Sequence, residues 1–150
     1  MQVTLLRPED RPEWEALYRG YAAFYKVALT TEGMNALWSW IFDDKEPVYA
    51  IVARNAQGKA IGLMHYREMH SPLRGTKAGF LDDLFVQPDC RGGGAVDALF
   101  ARLTEEAKSR GWPFVRWLTG DDNFRARAVY DGLATRTMWI TYQMNVAPAR

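Results

Sequence analysis

A mixed α/β fold is what the sequence predicts: a mostly antiparallel sheet of about six to seven strands with helices on both faces. Three observations predict it. Apolar residues alternate with polar ones in several short segments, they recur at three- and four-residue spacing in several longer ones, and a glycine run stands where a strand-like segment gives way to a helix-like one. The 150 residues, 48% hydrophobic and 25% charged, suit one globular domain, so residues 1–150 are read as a single domain with apolar material for one core.

Gln2 to Arg7 reads as a short strand. Asp10 then opens a helix, with Glu13 in the reciprocal position of a capping box and Pro12 in the first turn; Trp14, Leu17, Tyr18, Tyr21 and Phe24 give it an apolar face. A second helix is expected from about Thr31, because Met34, Leu37, Trp38 and Ile41 repeat at helical spacing, and the run Asp43, Asp44, Lys45, Glu46, Pro47 stops it. Val48 to Ala53, Ala60 to Met69 and Ala78 to Val86 read as an antiparallel meander, with Asn55 and Gly58 in its first turn and Ser71, Pro72 and Gly75 in its second. Val96, Leu99, Leu103 and Ala107 form the face of a third helix that Gly111 stops. Phe114 to Thr119 follows as a strand, Asn123 to Leu133 as a short helix, and Ile140, Tyr142, Met144 and Val146 alternate as a last strand. Only the strands flanking the third helix need pair in parallel.

Charge and composition exclude several functions. Nineteen Lys and Arg against eighteen Asp and Glu leave a net charge of +1, with no basic stripe, helix-turn-helix or zinc pattern, so nucleic acid is not an expected partner. The longest stretch free of Asp, Glu, Lys and Arg runs from Thr137 to Ala149, short of the ~18 apolar residues of a membrane span. Arg7, Glu9, Asp10 and Arg11 break any apolar leader near the N-terminus, and a single cysteine, Cys90, excludes an internal disulfide framework. A soluble, cytoplasmic protein is expected. His65 and His70, five apart without a carboxylate motif, read as satisfied polar residues, and no metal is expected.

The run Val86-Gln87-Pro88-Asp89-Cys90-Arg91-Gly92-Gly93-Gly94-Ala95-Val96 carries the chemistry. Glycines at a strand-to-helix junction let backbone N–H groups converge on an anion, and the helix's first turn adds partial positive charge, so phosphate is the natural ligand. A plain turn is the competing reading. No Gly-Lys-Ser or Gly-Lys-Thr follows, which excludes a P-loop, and a dinucleotide fingerprint would put its third small residue at Asp97.

Leu81-Asp82-Asp83-Leu84-Phe85-Val86, then Arg91 to Val96, then Asn123 with Tyr130 seven residues on, together resemble the signature of the GNAT superfamily of N-acetyltransferases. The segment from Arg127 to Thr137 is most similar to the branch that acetylates histones and polyamines. The resemblance implies a GNAT-like fold over the whole chain and acetyl-CoA as co-substrate. The cofactor would be held by main-chain groups of Leu84, Phe85 and Val86 and by the turn Arg91, Gly92, Gly93, Gly94, Ala95 and Val96. Val96 departs from the family's Gly or Ala, and its β-branched side chain crowds a place where phosphate would lie.

The resemblance also assigns roles. Asp82 matches the glutamate that some members use as base through a water, and Tyr130 the tyrosine that donates a proton to the leaving thiolate. Freeing an amine of pKa ~10.4 from its proton at pH 7 costs about 4.6 kcal/mol, so a base or an orienting carboxylate is useful. Asp82 either has a raised pKa or mainly binds the cation; it could equally be an ordinary ion-pair partner. Asn123 would hold the pantetheine arm or cap its helix, and both roles could coexist. Cys90, beside Arg91 near a helix start, offers a covalent acyl-cysteine route that lacks a base motif. Tyr21, Phe24, Tyr25, Trp38 and Trp40, with Glu32, Asp43 and Asp44, suit a cationic amine on the acceptor side, although helical spacing explains most of the aromatics as core. The expectation is acetyl transfer to a primary amine, polyamine-like or a protein lysine, by a homodimer; a non-catalytic acyl-CoA-binding module is the alternative.

Overall fold

The computed structural model describes residues 1–147, and their packing separates into two units, Met1–Leu118 and a second that starts at Thr119. The first runs β1 (Gln2–Leu5), α1 (Arg11–Phe24), α2 (Thr31–Ile41), β2 (Val48–Arg54), β3 (Ala60–Ser71), β4 (Thr76–Val86), α3 (Ala95–Arg110) and β5 (Val115–Trp117). The strands lie in chain order in one sheet; the first three pairings are antiparallel, and β4–β5, the pair that α3 connects, is parallel. Meander and single parallel crossover match the sequence expectation.

Alternation along the strands sorts the two faces. Ala50, Val52, Leu63 and Phe85 join Trp14 and Leu17 of α1 and Met34 of α2 in one buried cluster. Residues of opposite parity, Ile51, Ala53 and Met64, are equally buried, and α3 packs on β1 to β4. Because both faces are covered, β3 is buried continuously from Ala60 to Tyr66 instead of alternating. α1 approaches β4 closely enough that a Cβ on Gly20 would lie 2.9 Å from the Phe85 ring.

Helix ends show where local signals held. Thr30 Oγ1 accepts from the Gly33 N–H at 3.0 Å and starts α2. Gly111, at φ 72, ends α3 in a left-handed cap, and the Trp112 N–H donates back to the Ala107 carbonyl at 2.9 Å. The capping box at Asp10 does not form. Asp10 accepts from the Arg7 N–H at 2.9 Å and pairs with buried Arg54 at 2.6 Å, while Glu13 accepts from the Ala60 N–H at 2.8 Å. Partners 44 and 47 residues away, brought in by the sheet, take both carboxylates.

The second unit contains α4 (Phe124–Leu133), capped by Asn123, whose side chain accepts from the Ala126 N–H at 3.3 Å. Residues 134–147 form no helix or strand, so the expected last strand at Ile140–Val146 is absent and the sheet has five strands rather than six to seven. Alternation specifies a face, whereas a strand also needs a neighbouring edge, and this segment has no ladder partner among the described residues. No helix among those residues is long and apolar enough to cross a membrane.

Candidate active site

A bulge in β4 creates the site. His65 pairs with Asp83 but Tyr66 with Leu81, which leaves Asp82 as the extra residue. β5 pairs with β4 only over Gly79 to Leu81, before the bulge. Beyond it, Leu84, Phe85 and Val86 pair with Met64, Leu63 and Gly62 on one side and have no strand on the other among the described residues. That free edge presents backbone donors and acceptors to an extended, amide-containing ligand.

The edge leads directly into the glycine turn. Pro88–Cys90 form one 3-10 turn, Gly92 and Gly94 take φ of 81 and 86, and Gly94 starts α3 with no side-chain cap. The first helical bond runs from the Ala98 N–H to the Gly94 carbonyl at 3.0 Å, so the N–H groups of Ala95, Val96 and Asp97 precede the intrahelical ladder. A Cβ at Gly92 or Gly94 would meet nothing within 4 Å. The glycines therefore serve backbone conformation and leave the turn open, as an anion site requires. Arg91 closes the turn from behind: its Nε donates to the Val86 carbonyl at 3.2 Å and its guanidinium lies 5.3 Å from the Phe24 ring centroid. Ala95 is buried and Val96 half-buried.

Asp82 and Asp83 have opposite surroundings. Asp82 accepts from Arg67 Nε at 3.0 and 3.1 Å; burial pushes its carboxyl above the ordinary value, with Arg67 holding it back in part. Asp83 Oδ2 lies 2.9 Å from His65 Nδ1 and accepts from the Tyr18 hydroxyl at 3.1 Å. Burial works to raise this carboxyl too, but the hydrogen bonds from His65, Tyr21 and Tyr18 outweigh it and hold Asp83 below the ordinary value. Burial, then the Asp83 charge, raises both tyrosine hydroxyls. His65 Nε2 is 2.8 Å from Trp14 Nε1.

The structure thus brings Asp82, the strand Leu84–Val86 and the turn Arg91–Val96 into one continuous tract. Asn123 and Tyr130 lie on α4 in the second unit: Asn123 caps the helix, and Tyr130 is half-buried in its last turns. Tyr18 and Asp83 were missed as site residues, since Tyr18 reads only as part of an apolar helix face; its spacing of three from Tyr21 was the available signal. The acceptor-side set divides. Tyr21 bears on Asp83, Phe24 on Arg91, and Trp38, Asp43 and Asp44 line a separate recess of about 680 Å³ with Pro8, Phe42 and Lys45. Cys90 loses the covalent route: burial and Asp89 push its thiol up rather than down, and its Sγ faces Asp89 Oδ1 at 3.7 Å. His65 is satisfied as expected, by Trp14 and Asp83. Among the described residues no group of three or more His, Cys, Asp or Glu is placed to hold a metal.

Comparison with known proteins agrees with this geometry. The chain is 26% identical over 144 residues to the D-amino-acid N-acetyltransferase HPA3 of Saccharomyces cerevisiae, covering 95% of this chain and 89% of the relative. The ribosomal-protein-alanine N-acetyltransferase from Brucella melitensis superposes with a TM-score of 0.79 at 25% identity, over 97% of this chain and all of that one (100%). The fold is shared with AAC(6')-Iy, solved in complex with a bisubstrate analog, CoA-S-monomethyl-acetylneamine, at a TM-score of 0.84 and 18% identity over 97% and 98% of the two chains. The model of the acetyltransferase (GNAT) family matches residues 14–133, and the chain belongs to that family.

Proposed function

We propose that the chain transfers an acetyl group from acetyl-CoA directly to a primary amine, a polyamine-like small molecule or a protein lysine. One observation carries this: the free edge of Leu84–Val86 beyond the Asp82 bulge runs straight into the uncapped start of α3 at Gly94. An extended thioester arm with amides fits the edge, and its pyrophosphate fits the turn. The residues present fit the group: the turn is open at Gly92 and Gly94, and the first-turn N–H groups have no side-chain cap. Val96, half-buried at this point, still offers its N–H. Bound there, acetyl-CoA supplies an acyl group activated as a thioester.

The chain's own residues do the rest. Leu84, Phe85 and Val86 orient the arm by main-chain bonds, Gly92 to Val96 hold the anionic end, and Asp82, its carboxyl raised by burial, takes a proton through water or steadies the cation. By the resemblance, Tyr130 would donate to the leaving sulfur, and Asn123, which caps its own helix, would contact the arm. The relatives named above are N-acetyltransferases, which supports an amine acceptor. Calorimetric titration with acetyl-CoA, followed by release of free thiol over a panel of amines, tests the reading. Binding with amine-dependent thiol release is expected. Binding without turnover by any amine would leave a non-catalytic acyl-CoA module, and no binding would overturn both.

A further inference from the structure

Asp83 is a mostly buried carboxylate, its side chain 17% exposed, and its hydrogen-bond donors are neutral. The Trp14 indole N–H can only donate, so His65 Nε2, 2.8 Å away, must accept and carries no proton. The ring's single proton therefore sits on Nδ1 and is donated to Asp83 Oδ2 at 2.9 Å. The Tyr18 hydroxyl donates to the same oxygen at 3.1 Å. Asp82 alongside has Arg67 as its counterion; Asp83 has hydrogen bonds without a neutralising cation. Were His65 to take a second proton, Trp14, 0% exposed, would lose its acceptor inside the core.

We infer that Trp14 and His65 are positioning residues for the acceptor: by fixing His65 as a neutral tautomer they leave Asp83 an unneutralised carboxylate, which, flanked by Tyr18 and Tyr21, takes the acceptor amine as its ammonium. Buried charge calls for a partner of opposite sign. A cation arriving at Asp83 supplies one, beside the Tyr18 and Tyr21 rings that stack on each other at 5.7 Å. This rests on the transfer reading and deepens it, naming the acceptor class as an amine that binds charged. The groups facing Asp83 are Tyr18 and Tyr21 from α1, His65 from β3 and Asp82 on its own strand, with Arg67 engaged by Asp82.

Two measurements test it, one without turnover. Nitrogen NMR of the imidazoles is expected to show His65 with one protonated nitrogen, Nδ1, and one bare nitrogen, Nε2. Two protonated nitrogens on His65 would overturn the inference and leave acetyl transfer untouched. Adding diaminobutane is expected to shift the His65 signal, and butanediol is not. In kinetics, Asp83→Asn should raise KM for diaminobutane at least about tenfold while acetyl-CoA affinity stays within about twofold. Trp14→Phe, if folded by circular dichroism, removes the donor that fixes the His65 tautomer and should raise KM in the same direction; His65→Gln gives a second route to the same KM effect. An unchanged KM in Asp83→Asn, with acetyl-CoA bound and amines turned over, sinks this inference alone. A wild type that binds no acetyl-CoA sinks the transfer reading, whatever the tautomer.

Discussion

Asp82 and Asp83 are the same residue type one position apart, and the bulge gives them different chemistry. Asp82 is displaced from the ladder toward Arg67, and Asp83 stays in register against His65. The consequence for stability follows from sign. Asp83 has a folded pKa below its ordinary value of 3.8, so the stabilisation is present above that value and is lost as pH falls through the depressed folded pKa. The melting temperatures of wild type and Asp83→Asn, followed from pH 7 to pH 3, should therefore converge at the acid end; a gap that widens there would contradict the assignment. Tyr130→Phe belongs to the same scale. If Tyr130 has the role proposed for it, loss of the phenolic proton should lower kcat by about 10- to 100-fold with acetyl-CoA affinity preserved, because the thiol is already a fair leaving group. Equal loss of binding and turnover in a calorimetric and steady-state comparison would return Tyr130 to a structural role.

At the level of elements, the site depends on how α3 is held at both ends. Its C-terminal cap lays Trp112 over the β3–β4 pair: the indole N–H donates to Glu68 of β3 at 2.8 Å, and a Cβ on Gly79 of β4 would lie 2.6 Å from the ring. Neither the ring edge nor the nearby Val115 side chain, 3.0 Å from the same point, can yield cheaply. Gly79→Ala should destabilise by about 1–3 kcal/mol, and at roughly 2–4 °C per kcal/mol the fall in melting temperature is about 2–12 °C; calorimetry measures it, and an unchanged value would mean that the strand slides freely. The helices around this core were legible because a 3.6-residue period is local, and so was the glycine turn. The bulge was not: nothing in Leu81-Asp82-Asp83-Leu84 marks which aspartate leaves the ladder, since that depends on the register with β3. The missing capping box at Asp10 has a related cause: its two oxygens go to the preceding Arg7 N–H and to the distant Arg54. β5 is shorter than Phe114–Thr119 because its pairing ends at Trp117 against Leu81, just before the bulge.

The whole molecule poses the question of its own association. Ile140, Tyr142, Met144 and Val146 keep strand parity, are largely exposed and have no ladder partner among the described residues. Two copies of one alternating segment can pair antiparallel across a two-fold axis, each giving the other the edge it lacks, and the Thr137–Ala149 stretch contains no Asp, Glu, Lys or Arg to oppose it. We propose that two copies associate as a homodimer through this segment. Sedimentation equilibrium should give twice the 17.2 kDa chain mass, and replacing Ile140 and Tyr142 by Asp should return it to one chain, since charges facing across the axis repel and cannot be buried. The same variant separates assembly from cofactor binding: with saturating acetyl-CoA its melting temperature should still rise by roughly 5–10 °C, the shift of a ligand at about a hundred times its Kd. A variant still dimeric would show that another surface joins the copies. A monomeric variant that loses the acetyl-CoA shift would show that association completes the cofactor site, which the uninterrupted tract from Leu84 to Val96 within a single chain argues against.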